Sequence, residues 1–230
     1  MNLNELKDLA VNAAMQAGDF LNKSKLEKKE VYKEEGRDIK LIIDQDAEKL
    51  IRSSLQITNI SILGEEYGGI VSKEKYWVID PLDGTANYFR GLDECCISIA
   101  LMEGDVALIG VIYNFNTDEI FHASSGNGAF LNDKEIRVSD ISDVSKASLF
   151  TGFPASESIE SQSLFLKNLA VWKKIRMFGS AALSCAYVAS GKGDYYAEKG
   201  VYLWDFAAGI CLVEEAGGKA EFSLIDDDRY

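Results

Sequence analysis

Two carboxylates three residues apart on a tight turn, in Asp80-Pro81-Leu82-Asp83-Gly84-Thr85, follow the apolar run Tyr76-Trp77-Val78-Ile79. Pro81 fixes its own φ and pushes Asp80 toward an extended conformation, so Asp80 is expected to close a strand. Gly84 permits a backbone geometry that residues with a side chain resist. Both acids can then face one point, and carboxylates that converge attract a hard divalent cation. If Thr85-Ala86-Asn87-Tyr88 begins a helix, the Gly84 and Thr85 amides point at the same spot, where a helix start favours phosphate. Read alone, the hexapeptide is also an ordinary surface turn.

Acids elsewhere favour the first reading. Asp44, Gly64-Glu65-Glu66 and Trp204-Asp205 each place a carboxylate at the end of an expected strand or the start of an expected helix, where a rigid frame presents functional groups. Oxygen ligands without sulfur or imidazole select Mg²⁺, with Mn²⁺ as a substitute, over zinc. A pair of such ions roughly 3.5–4 Å apart binds both the attacking and the leaving oxygen of a phosphoryl displacement. Each acid also has a plainer role: Asp44 and Asp205 as helix caps, Asp46 and Glu66 as solvated neighbours, and Trp204 as a packing residue that orients Asp205.

These acids need elements to hold them. Leu6, Leu9, Ala10, Ala13, Ala14, Ala17, Phe20 and Leu21 recur at helical spacing and predict a long first helix. The charged stretch Lys23 to Arg37 reads as turn and loop. A second helix is expected to begin near Asp44 or Asp46, with Ala47, Leu50, Ile51 and Ser54 on one face. Strands follow at Ile60–Leu63 and Tyr76–Ile79. Between Cys95 and Val138 the sequence predicts an antiparallel meander, Ile97–Met102, Val106–Tyr113, Glu119–Ala123, Gly128–Leu131 and Glu135–Val138, with turns at Glu103-Gly104-Asp105 and Asn132-Asp133-Lys134. Helices are expected at Glu157–Trp172, Ala181–Ser190 and Asp205–Ala216, and strands near Ser148–Thr151, Ile175–Phe178 and Asp194–Tyr196. With no linker and no repeat, residues 1–230 read as one α/β (α+β) unit whose halves, about 1–140 and 141–230, meet near Ser139–Ser148.

Composition narrows the function. Of 230 residues 47% are hydrophobic, enough for a sizeable core. No apolar run approaches the roughly eighteen residues a membrane span needs, and the N-terminus lacks signal-peptide order, so a cytoplasmic location is expected. With 37 acidic against 24 basic residues the net charge of −13 repels nucleic acid and anionic membranes. An acidic protein that handles phosphate needs local positive charge, which a bound metal ion supplies. Cys95, Cys96, Cys185 and Cys211 show no metal or redox spacing and read as reduced packing residues. The single histidine, His122, reads as structural and gives no basis for a zinc site or a Ser-His triad.

The segments Gly64-Glu65-Glu66, Trp77-Val78-Ile79-Asp80-Pro81-Leu82-Asp83-Gly84-Thr85-Ala86-Asn87 and Trp204-Asp205-Phe206-Ala207-Ala208-Gly209 together resemble the inositol monophosphatase family, within the wider group of magnesium-dependent, lithium-sensitive phosphatases. Asp44 in Ile43-Asp44-Gln45-Asp46 and Glu214-Glu215-Ala216-Gly217-Gly218 agree in order, so the resemblance covers residues 5 to 222. It implies a layered α-β-α-β-α sandwich. By the resemblance Glu65, Asp80 and the Leu82 carbonyl hold a first Mg²⁺, Asp80, Asp83 and Asp205 a second, and a third ion leans on Glu65. Glu65 and the Thr85 hydroxyl would orient the attacking water, with Asp44 hydrogen-bonded to Thr85. The amides of Asp83, Gly84 and Thr85 would seat the phosphate.

The resemblance also bears on the substrate. Glu198 falls where family members contact a sugar or inositol hydroxyl, Gly179-Ser180-Ala181 would form the pocket wall, and Arg176 would reach a second phosphate. Lys33 matches a basic residue on a loop, although Lys28, Lys29 and Lys33 equally read as a solvated cluster. The implied activity is Mg²⁺-dependent hydrolysis of inositol monophosphate or related sugar phosphates by a homodimer. Fructose 1,6-bisphosphate, 3′-phosphoadenosine compounds or NADP are alternative substrates, and a non-enzymatic interaction protein on the same fold is an alternative class. Relatives continue past Gly217-Gly218 with further elements, so an abbreviated C-terminal layer is expected here, with a sheet edge exposed or covered by a partner.

Overall fold

A computed structural model describes residues 1–25, 31–35, 38–155, 157–226 and 228–230, with the side chains of 32–40 outside that set. The alanine-rich stripe read from the sequence becomes α1 (Leu3–Ser24), opened by a capping box in which Asn2 and Glu5 exchange side-chain and backbone hydrogen bonds. Its buried face runs through Leu6, Ala10, Ala13, Ala14, Ala17 and Leu21. Small residues there let the helix lie close to the sheet, where Gly18 meets Tyr113 and Phe115.

The expected loop after α1 is in part a hairpin, β1 (Val31–Glu35) and β2 (Asp38–Leu41), paired antiparallel. Its alternation was hidden by charge, since Lys, Glu and Asp fill positions where a half-buried strand would show apolar residues. Next, α2 (Ile42–Leu55) starts earlier than expected, because Asp44 sits inside the first turn and accepts from the Leu41 amide at 2.9 Å. A single 3₁₀ turn (Gln56–Thr58) leads on to the main sheet.

That sheet has the order β3 (Ser61–Gly64), β4 (Lys75–Asp83), β5 (Cys96–Glu103), β6 (Val106–Asn114), β7 (Glu119–Ser124), β8 (Ala129–Leu131) and β9 (Lys134–Glu135). From β4 onward it is the expected antiparallel meander, while β3 pairs parallel with β4. Left-handed φ values at Gly104 and Asn132 form two of its turns. Strand β4 does not end at Asp80. It continues through Pro81, which the sheet tolerates because β3 stops pairing at Ile79 and the register against β5 slips between Asp80 and Asp83. The last strand is shorter than expected, since the Val138 amide leaves the sheet for the Ala216 carbonyl.

Beyond the meander, β10 (Ser148–Phe150) is the middle of a three-stranded parallel sheet between β11 (Lys174–Arg176) and β12 (Tyr195–Tyr196). The intervening helices are α3 (Thr85–Arg90), α4 (Ile159–Leu169), α5 (Ala181–Ala189) and α6 (Leu203–Glu215). The layers run α1 and α2, seven-stranded sheet, α5 and α6, three-stranded sheet, then α4, in keeping with the expected α-β-α-β-α order. One apolar core lies between the main sheet and α1/α2, around Trp77, Ile97 and Ile99. The other joins the opposite face to α5/α6, around Phe121, Phe150 and Leu212. Burying both faces explains the near-continuous apolar runs of β4, β5 and β6. The four cysteines are buried and unbridged, and His122 stacks on Phe130 with Nε2 against the Asn132 carbonyl at 2.9 Å. Among the described residues no helix is long and apolar enough to cross a membrane.

Candidate active site

The turn at the end of β4 is built as its residue types require. Asp80 is 2% exposed and its Oδ1 accepts from the Leu82 amide at 2.9 Å, while Gly84 adopts φ 87°. A Cβ on Gly84 would meet the Glu94 carbonyl at 2.7 Å, so glycine is needed there for space as well as for φ. Helix α3 follows, and Asn87 Nδ2 donates to the carbonyls of Glu94 and Phe178, both at 2.7 Å. Asn87 thereby ties the turn to the segment that precedes α5.

Asp83 points the other way, into the start of α5. Its Oδ2 accepts from Ser180 Oγ at 2.5 Å and from the Ala182 amide at 2.8 Å. Ser180 is also the cap of α5, donating to Asp83 while its Oγ accepts from the Leu183 amide at 3.2 Å. Ser180, expected with Gly179 and Ala181 as pocket wall, thus helps to hold Asp83 in place. Asp205 enters from the first turn of α6, where Oδ2 caps the helix by accepting from the Tyr202 amide at 2.8 Å. Trp204 stacks on Tyr202 at 4.7 Å and its carbonyl accepts from Ser98 Oγ, which fixes that turn against β5.

Glu65 follows β3, beside Asp80 across the parallel pair, and its amide donates to the Ile79 carbonyl at 3.2 Å. Burial and repulsion from Glu65, Asp83 and Asp205 hold the Asp80 carboxyl well above its usual range. Burial, then the neighbouring acids Asp83, Glu65 and Glu198, does the same to Asp205. Burial raises Asp83, opposed by the donors from Ser180 and Ala182. Glu65 after β3, Asp80 and Asp83 on β4, and Asp205 on α6 are thus near enough to act on one another electrostatically.

Whether these residues suit a divalent cation is decided by their chemistry. The donors are all oxygen, three of the carboxylates lose solvation and repel one another, and among the described residues no lysine or arginine is ion-paired to Asp80, Asp83 or Asp205. A bound divalent cation supplies the missing charge, so the set fits. Among the described residues no three acids, histidines or cysteines already stand together as a closed ligand cluster; Asp80, Asp83 and Asp205 each turn one oxygen to a protein donor.

Other expected positions fall as follows. Asp44 is buried on α2 against Leu41. The Thr85 hydroxyl donates to the Leu82 carbonyl at 2.9 Å rather than to Asp44. Its donor therefore points at an oxygen that the resemblance had given to metal. Glu198 follows β12; the residue is exposed overall, yet its carboxyl end lies against Gly152 and accepts from Tyr196 Oη at 3.1 Å. That desolvation pushes it up to about 7. Arg176 is exposed on the edge strand β11, donating to the Ile175 carbonyl at 3.0 Å, and is not brought to the acids. The Lys33 side chain, like Lys28 and Lys29, lies outside the described residues. The sequence reading missed Ser180 and Asn87 as anchors, and it missed Glu48, which is buried on α2 and accepts from the Glu66 amide at 2.7 Å.

Comparison with known proteins agrees with this fold. The sequence model of the inositol monophosphatase family matches residues 2–221. A protein of Xylella fastidiosa named Nus factor SuhB is 42% identical over 219 residues, 92% of this chain and 79% of that protein. Inositol monophosphatase 2 of Saccharomyces cerevisiae is 37% identical over 204 residues, 81% of this chain and 70% of that one. Among solved structures, the inositol monophosphatase from Anabaena (Nostoc) superimposes with a TM-score of 0.83 at 36% identity, covering 95% of this chain and 84% of its own. On these grounds the chain belongs to the inositol monophosphatase family.

Proposed function

We propose that the chain is a Mg²⁺-dependent phosphomonoesterase acting on inositol monophosphate or a related small sugar or polyol phosphate. The observation that supports this reading is the mutual repulsion of Glu65, Asp80, Asp83 and Asp205, of which Asp80, Asp83 and Asp205 are buried and, among the described residues, have no lysine or arginine ion-paired to them. Glu65, Asp80, Asp83, Asp205 and the Leu82 carbonyl would hold two to three ions, Mg²⁺ or in its place Mn²⁺. When bound, these ions supply water activation near neutral pH and charge neutralisation at the phosphate. Glu65 and Thr85 then orient the attacking water, and Thr85 has its hydroxyl on the same turn as Leu82. The amides of Asp83, Gly84 and Thr85 seat the phosphate, which the left-handed Gly84 allows by turning the chain sharply into α3. Glu198 accepts from a substrate hydroxyl, and burial tunes its carboxyl to titrate near neutrality.

Phosphate release from inositol monophosphate, fructose 1,6-bisphosphate, 3′-phosphoadenosine compounds and NADP, with Mg²⁺ present or chelated, tests the reading. Release from inositol or sugar phosphates that stops on chelation and is inhibited by lithium is expected. Release from the adenosine compounds alone would move the assignment to a nucleotide phosphatase. No release from any of them supports the second reading, an interaction protein on the same fold, which the name Nus factor of the Xylella fastidiosa relative favours. Against it stand the retained buried acids, which repel one another without metal and have no use in a scaffold.

Homodimerisation of a cytoplasmic protein belongs to the same proposal. Helix α4 buries only Leu169 and exposes Ile159, Leu164 and Leu166. Ile159 and Leu166, seven residues apart, share one face of the helix, and exposed apolar residues there suit a second copy. Sedimentation at micromolar concentration is expected to give twice the 25.4 kDa chain mass.

A further inference from the structure

Glu48 has no exposed surface, although nothing in the sequence marks it among the other acids of α2. A buried carboxylate is tolerated when donors satisfy it, and this one has three. Arg52 Nε donates to Oε1 at 2.7 Å, the Glu66 amide to Oε2 at 2.7 Å and the Tyr67 amide to Oε1 at 3.3 Å. Arg52 extends the clamp, since its other guanidinium nitrogen donates to the Gly68 carbonyl at 2.7 Å. The turn is closed internally by the Gly64 amide on the same Gly68 carbonyl at 3.0 Å. Gly64 itself has no room for a side chain, because a Cβ would run into the Glu48 carboxylate and sit 2.9 Å from the Arg52 guanidinium.

Glu65 lies in the middle of this arrangement. Its own amide is fixed to the Ile79 carbonyl of β4, and the next two amides are fixed to Glu48. The backbone on both sides of Glu65 is thus referred to two rigid elements, β4 and α2, whereas an unclamped turn would let the carboxylate wander. We infer that Glu48, with Arg52, is a positioning residue that aims Glu65 at the Asp80 site. The inference rests on the proposed metal-dependent function and adds a residue pair to it. Groups at one remove from a metal typically change affinity 10–100-fold when removed.

The test is Mn²⁺ binding, read from the electron paramagnetic resonance signal of free Mn²⁺, together with the Mg²⁺ concentration giving half-maximal turnover. Glu48→Ala is expected to weaken both 10–100-fold. Glu48→Gln keeps an acceptor for the Glu66 amide and is expected to fall between Glu48→Ala and the parent. Glu215→Ala is the control, since Glu215 makes the same kind of clamp on the Gly126 and Gly128 amides, both at 2.8 Å, away from the acids. It is expected to lower stability and leave Mn²⁺ affinity unchanged. Should Glu48→Ala fail to fold, Glu48→Gln carries the test with the same sign at smaller size. Parental affinity in the folded Glu48 variants, or equal weakening by Glu215→Ala, would overturn the inference while leaving the proposed function standing. A parent protein that binds no Mn²⁺ would overturn both.

Discussion

Gly110→Ala, a single methyl on β6, should disable the site from a distance. Gly110 lies under the middle of α6, the helix that presents Asp205, and its φ is ordinary, so alanine brings no backbone strain. An added Cβ would press on the Ala208 carbonyl oxygen, standing 3.0 Å from the carbonyl carbon and 3.1 Å from Cys211 Cβ. Relief of the Ala208 oxygen to an ordinary contact beyond 3.4 Å requires α6 to lift off the sheet by on the order of 1 Å. Overpacking of that kind costs about 1–3 kcal/mol. For a domain of this size that lowers Tm by roughly 3–10 °C. Asp205 stands three residues before Ala208 and moves with it. A displacement approaching 1 Å in a reacting constellation costs about 100-fold in rate, so kcat/KM should fall by roughly ten- to a hundredfold. Gly104→Ala separates the two effects: Gly104 has φ 57° with no atom within 4 Å of a Cβ, in the turn between β5 and β6. It should cost about 1 kcal/mol through strain and leave kcat/KM intact. Thermal melts and phosphate release measured on both variants decide the matter. A Gly110→Ala protein with parental Tm and parental kcat/KM would refute the packing argument.

Further outcomes follow from the same geometry. In the metal-free protein Asp80, Asp83 and Asp205 have folded-state values raised above their unfolded ones. Their contribution is therefore intact below the ordinary carboxylate range, near pH 4, and is lost as pH rises through the raised values. Chelated protein should melt progressively lower from pH 5 to 8, Mg²⁺ should flatten that slope, and Asp205→Asn should flatten it without Mg²⁺; a slope unchanged in all three would contradict the assignment. Asp83→Asn keeps an acceptor for Ser180 and Ala182, so near-complete loss of turnover with a parental circular dichroism spectrum is expected. For Glu198, raised to about 7 by burial, KM for inositol monophosphate should fall as pH climbs through neutrality, and Glu198→Gln should abolish that dependence; a pH profile identical to the parent's would remove Glu198 from the substrate site. Removing the Glu215 clamp on Gly126 and Gly128 should cost about 1–3 kcal/mol, read from urea unfolding.

What the sequence made legible was set by the range of the interactions concerned. Asp80, Asp83 and Asp205 stand in short segments whose neighbours dictate the backbone, a proline before a glycine in one case and a helix start in the other. That each would stand on a tight turn or a helix start could be read before the fold was known. The meander was equally readable, because apolar runs broken by Gly104 and Asn132 are local signals. Glu48 was not legible: on α2 it resembles Asp46, which is partly exposed and paired with Lys49, and the two amides it accepts from lie eighteen and nineteen residues away. The bond by which Ser180 holds Asp83 was not legible for the same reason, as the two are 97 residues apart. The hairpin β1–β2 was lost in a charged stretch, and the passage of β4 through Pro81 depends on where β3 stops, which no local pattern reveals.

Glu65, Asp80, Asp83 and Asp205 are proposed to form one divalent-cation site. Anomalous scattering from crystals grown with Mn²⁺ measures it directly. Peaks within coordination distance of these four carboxylates, absent from crystals of Asp83→Asn, are the predicted result. A parent crystal with Mn²⁺ bound elsewhere and none among these acids would contradict it.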